Sequence, residues 1–155
     1  MAESQAAQQA RLRDLGDVLV EDDEPCNACP RCAGPMRVRK TFRHRGRTLA
    51  HGRFRVRETE RVCASGCTEQ PVGSAKRRLL VRRASGVARL LLPRSTIGYD
   101  VMAHVGVERF VRFCRRDEIR QDLLARWGIE LSTGEVSSLA KKFCVYLKAL
   151  HVSRA

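Results

Sequence analysis

"PCNACPRCAG", Pro25 to Gly34, sets Cys26, Cys29 and Cys32 at three-residue intervals, and "CASGC" brings in Cys63 and Cys67 further along the chain. Zinc takes four tetrahedral soft ligands, and a C-x2-C turn hands two thiolates to one ion because the backbone between them folds around the metal. Two such turns complete a site. The second is Cys63 with Cys67, one residue longer than the common spacing, with Gly66 easing the turn. The first is Cys26 with Cys29 or Cys29 with Cys32. "CPRCAGPM" favours the latter pair, since Pro30 follows the first thiolate and Gly34 follows the second, where the chain must turn into a strand. The expected ligands are therefore Cys29, Cys32, Cys63 and Cys67, with Cys26 a bystander or a spare ligand. Four cysteines leave no coordination position open for water, so the expected Zn2+ is structural. Its binding supplies much of the folding free energy of a module too small for a core of its own.

The residues between the two turns, Ala33 to Val62, suffice for two strands and a loop. Phe54 and Val56 alternate with Arg55 and Arg57, the period of a half-buried strand. "MRVRKTFR" is β-like as well. The expected order is cysteine turn, strand, loop, strand, cysteine turn, with His44 and His51 in the loop and within reach of phosphate. Beyond it, "KRRLLVRRASGVARLLLPRST" reads equally as a hairpin around Ser85 and Gly86 or as a short helix.

From about Ile97 the pattern turns helical. "GYDVMAHVGVERFVRF" puts Met102, Val105, Arg109 and Phe113 on one face, weakened by Gly106. "RRDEIRQDLLARWG" spaces Ile119, Leu123 and Trp127 four apart, with Asp117 and Glu118 suited to the first turn and Gly128 to the end. In "LSTGEVSSLAKKFCVYLKALH", Ser132 and Glu135 form a capping box ahead of an apolar stripe of Val136, Leu139, Phe143, Leu147 and Leu150. Cys114 and Cys144 lie on these segments without partners at ligand spacing and read as packing residues.

Charge narrows the function. Thirty Lys and Arg against 17 Asp and Glu give a formal net charge of +13 and a pI near 10.3, a field that attracts polyanions. Ten of the arginines fall between Arg31 and Arg61, with only Glu58 and Glu60 to oppose them, whereas Asp14 to Glu24 carries six acids and no base. Aromatic residues are only 5% of the chain, which disfavours a base-stacking platform. The N-terminus lacks an apolar signal core and the longest aliphatic run is Leu90 to Leu92, so the expected location is cytoplasmic and nucleoid-associated, with no membrane partner. In that reducing compartment, paired cysteines serve as metal ligands more readily than as disulfides.

The last two helical segments fit a helix-turn-helix, which needs a first helix, a short turn often containing Gly, and a second helix whose N-terminal face enters the major groove. Ile119, Leu123 and Trp127 would pack against Val136, Leu139 and Phe143, with Ile129 and Leu131 plugging the turn. Thr133, Gly134, Ser137, Ser138, Lys141 and Lys142 would then face out, small, polar or basic as groove entry and phosphate contact require. The alternative is an ordinary helical hairpin packed in a bundle.

The order "CPRC", "TLAHG", "CASGC", "LLPRSTIGYDVM", "VGVERFVRF", "EIRQDL" and "LSTGEVSSLAKKF" resembles the N-terminal part of a group of bacterial insertion-sequence transposases, over about residues 26–151. In that group a Cys-rich zinc-binding segment precedes a helix-turn-helix, and a DDE-type RNase H-like catalytic domain follows. The resemblance implies recognition of element ends, with Thr133 to Lys142 as the reading helix. A DDE domain holds two divalent ions with three carboxylates on a mixed sheet, and no such triad can be assembled from Asp100, Glu108, Asp117, Glu118, Asp122, Glu130 and Glu135. The chain is expected to be non-catalytic, a fragment or a truncated or split product.

The expected fold class is α+β, a small zinc-ribbon-like β module followed by an all-α helix-turn-helix module. Its parts are a flexible acidic leader (1–24), the zinc module (25–75), a basic connector (76–96) and the helix-turn-helix (97–155). The expected partner is double-stranded DNA, contacted by Ser132, Thr133, Ser137, Ser138, Lys141 and Lys142 and by Arg39, Arg43, Arg45 and Arg47. A separate catalytic chain or a second copy is a further expected partner. Two other readings stay open, a zinc-stabilised protein-interaction scaffold and a stand-alone transcriptional regulator.

Overall fold

The structure, a computed structural model, describes residues 27–154 and the backbone of residues 17–18. The expected leader otherwise lies outside the described residues, as does Cys26. The protein is mixed α+β, with an antiparallel hairpin preceding helices. Strand β1 (Asp17–Val18) is followed by β2 (Met36–Thr48), β3 (Gly52–Cys63), β4 (Thr68–Glu69), β5 (Arg78–Leu79) and β6 (Val81–Arg83). Helices α1 (Gly86–Leu90), α2 (Tyr99–Phe110), α3 (Arg116–Trp127) and α4 (Thr133–Arg154) come after.

A three-residue turn, 49–51, joins β2 to β3 and is too short for any but an antiparallel pairing. On its other edge β3 takes β1 in parallel, Asp17 beside Arg55 and Val18 beside Val56. Further along that strand β6 pairs antiparallel, Glu60 with Arg83, Arg61 with Arg82 and Val62 with Val81. β4 and β5 make a separate antiparallel pair. β2 runs further than expected, because His44 to Thr48 continue the strand instead of looping out. Gly46 and Thr48 face inward there while Arg45 faces solvent, so period two holds with no aliphatic residue to announce it. The ambiguous stretch after Lys76 contains short strands and then helix α1, and no hairpin forms around Ser85 and Gly86.

The chain divides into two compact units. The first comprises Asp17–His44 and Arg55–Arg89; among the described residues the second comprises Arg45–Phe54 and Leu90 onward. The first unit buries Cys29, Met36, Cys63 and Leu80 in one small cluster, with Cys67 packed against it. The second has a full apolar core drawn from α2, α3, α4 and their links, including Val101, Val105, Ile119, Leu123, Ile129, Leu131, Val136 and Leu139.

Helix α2 turns Met102 and Val105 inward as expected. Arg109 is exposed, and Phe113 lies beyond the helix end at φ 57 with 80% of its surface exposed, so the expected four-residue face is only half real. Gly106 is needed for a close approach. A Cβ at that position would stand 2.1 Å from Cγ of the Phe143 ring, an atom too near the α4 backbone to swing aside. Gly106→Ala would gain about 1 kcal/mol of helix propensity and lose about 1–3 kcal/mol to overpacking. The clash is expected to win, lowering stability by about 1 kcal/mol in urea melts followed by the helical signal, with Gly106→Val worse.

Helix α3 starts where Glu118 accepts the Arg115 N–H at 2.5 Å and stops at Gly128, whose φ of 64 is the left-handed cap the sequence called for. Helix α4 opens with the expected capping box: Glu135 N–H donates to Ser132 Oγ at 3.1 Å and Ser132 N–H to Glu135 Oε2 at 2.8 Å. The Ser132 N–H chiefly, aided by the Arg47 guanidinium, holds the Glu135 carboxyl below its usual range. Of the apolar stripe, Val136 and Leu139 are buried and Phe143 is half-buried. Leu147 and Leu150 are exposed, because α4 outruns the elements of its unit that it packs on. Among the described residues, no helix is long and apolar enough to cross a membrane.

Candidate metal centre and the basic residues

Each cysteine pair is presented by a turn that closes on its own backbone. Cys29 N–H donates to Gly34 O and Ala33 N–H to Cys29 O, both at 2.8 Å, and Ala33 takes a φ of 55 to bring the chain round to the Ala28–Pro35 bridge. At the second turn Gly66 N–H reaches Cys63 O at 3.1 Å, with Gly66 at φ 73, where a side chain would be strained. Ala64 N–H donates to Pro35 O at 3.0 Å and ties the two turns together. Leu80 N–H donates to Cys67 O at 2.8 Å, which sets the Leu80 side chain over the cluster.

The four Sγ atoms of Cys29, Cys32, Cys63 and Cys67 consequently lie within 4.8 Å of one another, Cys32 and Cys63 at 3.5 Å. Thiolates bound at 2.3 Å to a tetrahedral ion stand about 3.8 Å apart, so this set fits one metal ion. Cys29 and Cys63 are buried, Cys67 is half-buried and Cys32 is exposed. Without metal the thiols must share protons. The backbone N–H of Cys67, with the Cys32 thiol and the Ser65 N–H, draws Cys63 down to about 6 against the cost of burial. Hydrogen bonds with Cys32 and Cys63 push Cys67 up to about 12. A metal ion removes this conflict, since it binds thiolates and displaces their protons. With four protein ligands, the centre can brace the fold and has no position left for an exchangeable water.

No family model, no curated protein and no solved structure matches this chain.

The four cysteines expected from spacing are the four brought together. Of the other two described cysteines, Cys114 is half-buried with its S–H donating to Glu108 Oε2 at 3.3 Å, and that hydrogen bond, helped by burial, raises its pKa. Cys144 is exposed on α4 and does not pack as expected.

Among the residues expected to touch DNA, Thr133, Ser138, Lys141 and Lys142 are exposed on the first turns of α4. Ser132 is exposed too, but its hydroxyl is spent on the cap. The Ser137 hydroxyl donates to Thr133 O at 3.0 Å and accepts from Arg116 Nη1 at 3.1 Å. On β2, Arg43 and Arg45 are exposed, whereas Arg39 pairs with Glu60 at 3.4 Å. Arg47 is a clamp within the second unit. It donates to Glu130 O at 2.8 Å, to Thr96 Oγ1 at 3.1 Å and to Glu135 Oε1 at 3.1 Å, anchoring the approach to α4. Nothing local to Arg47 announces this, since those partners lie 49 to 88 positions along the chain. His44 is on β2 and not in a loop, with Nε2 2.8 Å from Glu58 Oε2. His51 lies in the 49–51 turn, its ring edge-on to Phe54 at 5.7 Å between centroids.

Proposed function

We propose that the chain is a zinc-stabilised, sequence-specific DNA-binding module of a transposase-like protein, with α3 and α4 as its helix-turn-helix, recognising mobile-element ends without catalysing strand transfer. The observation that carries this reading is the two-sided first half of α4. Val136, Leu139 and Ala140 share one core with Ile119 and Leu123 of α3, and Ile129 and Leu131 fill the turn between the helices. Thr133, Gly134, Ser138, Lys141 and Lys142 are left to solvent. A helix seated this way offers small and polar groups to base edges and ammonium groups to phosphates. The net charge of +13 supports a polyanionic partner, in a cytoplasmic, nucleoid-associated setting.

Zinc is the metal that four thiolates in a closed tetrahedral set favour. Support for a non-catalytic role comes from the acids after residue 97. Asp100 Oδ2 accepts the Leu49 and Ala50 N–H groups, Glu108 holds Arg112 and Cys114, Glu118 and Glu135 cap helices, and Asp122 lies 3.2 Å from His104. A second reading, a scaffold for a separate catalytic chain or a second copy, is favoured by Val145, Leu147, Leu150 and Val152, all exposed on the later turns of α4. A stand-alone transcriptional regulator would use the same DNA contacts and differ in its targets.

Replacing Lys141 and Lys142 with Glu in the metal-loaded chain tests the leading reading. Duplex affinity is expected to fall on the order of 100-fold, about 1.5 kcal/mol for each charged contact. Metal content and melting should not change, since both side chains are exposed. Wild-type affinity should drop steeply between low and physiological salt. Equal affinity in the variant, or binding indifferent to salt, would remove the reading.

A further inference from the structure

The hairpin residues of the first unit carry their acids on one face. Glu58 is buried on the inward side of β3, after Val56 in the alternation, and faces His44. Glu60, next on that side, holds Arg39 at 3.4 Å and its ladder partner Arg83 at 3.2 Å, and the Arg83 guanidinium also covers the Phe42 ring at 4.1 Å. Positive groups on this face have carboxylates to meet.

Alternate residues point the other way. Arg43 and Arg57 are exposed there, and Arg61 is partly exposed with Arg82 opposite it in the ladder. Arg82 has Glu69 at 3.4 Å, but among the described residues none of Arg43, Arg57 and Arg61 has a carboxylate at ion-pair distance. Arg55 shares this side of β3 where β1 pairs with it, while Arg43, Arg57 and Arg61 lie clear of that pairing. Like charges gathered on one sheet face repel one another. Both acids of the hairpin are committed to the opposite side, so a polyanion is the partner that relieves the repulsion.

We propose that this face is a second nucleic-acid contact, which grips the phosphate backbone of duplex DNA through Arg43, Arg57 and Arg61 without reading its sequence. The inference rests on the DNA-binding reading above and extends it from the helices to the metal-bearing unit. Arginine forks match phosphate oxygens two at a time, and such backbone contacts position a protein without carrying sequence information. Arg57 and Arg61, four apart on one face of β3, stand about 13.6 Å from each other along the strand, a row that can follow a phosphate chain. Single strands are usually held by aromatic platforms. The hairpin offers none on this side, since Phe42 is covered by Lys40 and Arg83 and Phe54 is buried, which favours a duplex.

The test compares the metal-loaded wild-type chain with Arg43→Gln/Arg57→Gln/Arg61→Gln across a salt series. The probes are a mixed-sequence duplex several helical turns long, a single strand of the same sequence, and phosphatidylserine vesicles. Duplex affinity is expected to fall tenfold or more, with the slope of log K against log salt shrinking by about 2–3, near 0.9 for each lost contact. Metal content and melting should match wild type; if the triple variant melts early, Arg57→Gln alone should still lower the slope by about 0.9. An unchanged duplex slope, or a loss confined to the single strand or the vesicles, would overturn the proposal. Failure here alongside a defect in the Lys141/Lys142 variant would leave the helix-turn-helix reading standing, whereas no duplex binding by wild type would end both.

Discussion

Stripping the metal with a strong chelator, or replacing Cys63 with Ser, is expected to unfold the first unit while the helices of the second persist. The buried cluster of the first unit is Cys29, Met36, Cys63 and Leu80 with Cys67 against it, so three of its five members are ligands. Burying a large apolar side chain yields about 1.5–3 kcal/mol, whereas ordering each residue costs about 1–2 kcal/mol in backbone entropy alone. Met36 and Leu80, even with Val56 and Val62 buried elsewhere in the unit, cannot offset that deficit. Structural zinc sites contribute about 10–16 kcal/mol of apparent binding free energy near neutral pH, which can. The second unit contributes no ligand to the tetrad and has its own extensive core. Circular dichroism should lose strand signal, keep its helical minima and recover on adding zinc, with elemental analysis giving one ion per chain. Unchanged spectra and melting after complete removal of metal would refute the metal's structural role.

Leu123→Ala is expected to carry the next largest penalty, and on the other unit. Leu123 has 0% of its surface exposed and shares its core with Ile119, Val136 and Leu139. Truncation of such a leucine costs about 2–5 kcal/mol, the spread depending on how far the neighbours collapse into the cavity. Rigid helices on several sides leave little room for collapse, which points to the upper half of that range. A domain of ordinary stability, about 5–15 kcal/mol, would lose a large part of it. Urea melts of the helical signal should shift accordingly while metal content stays constant. The adjacent Leu124 is 46% exposed, and Leu124→Ala should cost about 0.5 kcal/mol or less. Equal effects at the two positions would contradict the packing described for α3.

Features fixed by close neighbours along the chain are legible in the sequence, and those fixed by distant ones are not. The metal tetrad depends on two tight turns; spacing alone offers Cys26–Cys29 or Cys29–Cys32 for the first, and Pro30 and Gly34 favour the pair that lies beside Cys63 and Cys67. Gly128 and the Ser132–Glu135 pair mark the boundary between α3 and α4 because capping is local chemistry. The far end of β2 is hidden because its inward residues are His44, Gly46 and Thr48, which carry no hydrophobic period. Phe113 fits a helical face by spacing, yet α2 stops at Phe110 and Phe113 turns into a left-handed conformation. Leu147 and Leu150 complete an apolar stripe, but burial needs an opposing surface, and the unit provides none for the end of α4. Arg47 looks like one more member of a basic run until Thr96, Glu130 and Glu135 arrive from far along the chain.

The cysteine turns stand at the open end of the hairpin, Cys32 just before β2 and Cys63 as the last residue of β3, with the 49–51 turn closing the other end. A slip of one residue between these strands would carry Cys63 about 3.4 Å away from its three companions and rotate every β3 side chain to the reverse face. An ion held by the four thiolates would thus be a register pin as well as a staple. By forbidding that slip it would keep Glu58 and Glu60 turned in and Arg57 turned out, so the electrical polarity of the sheet would be set by an atom that bears on none of those side chains.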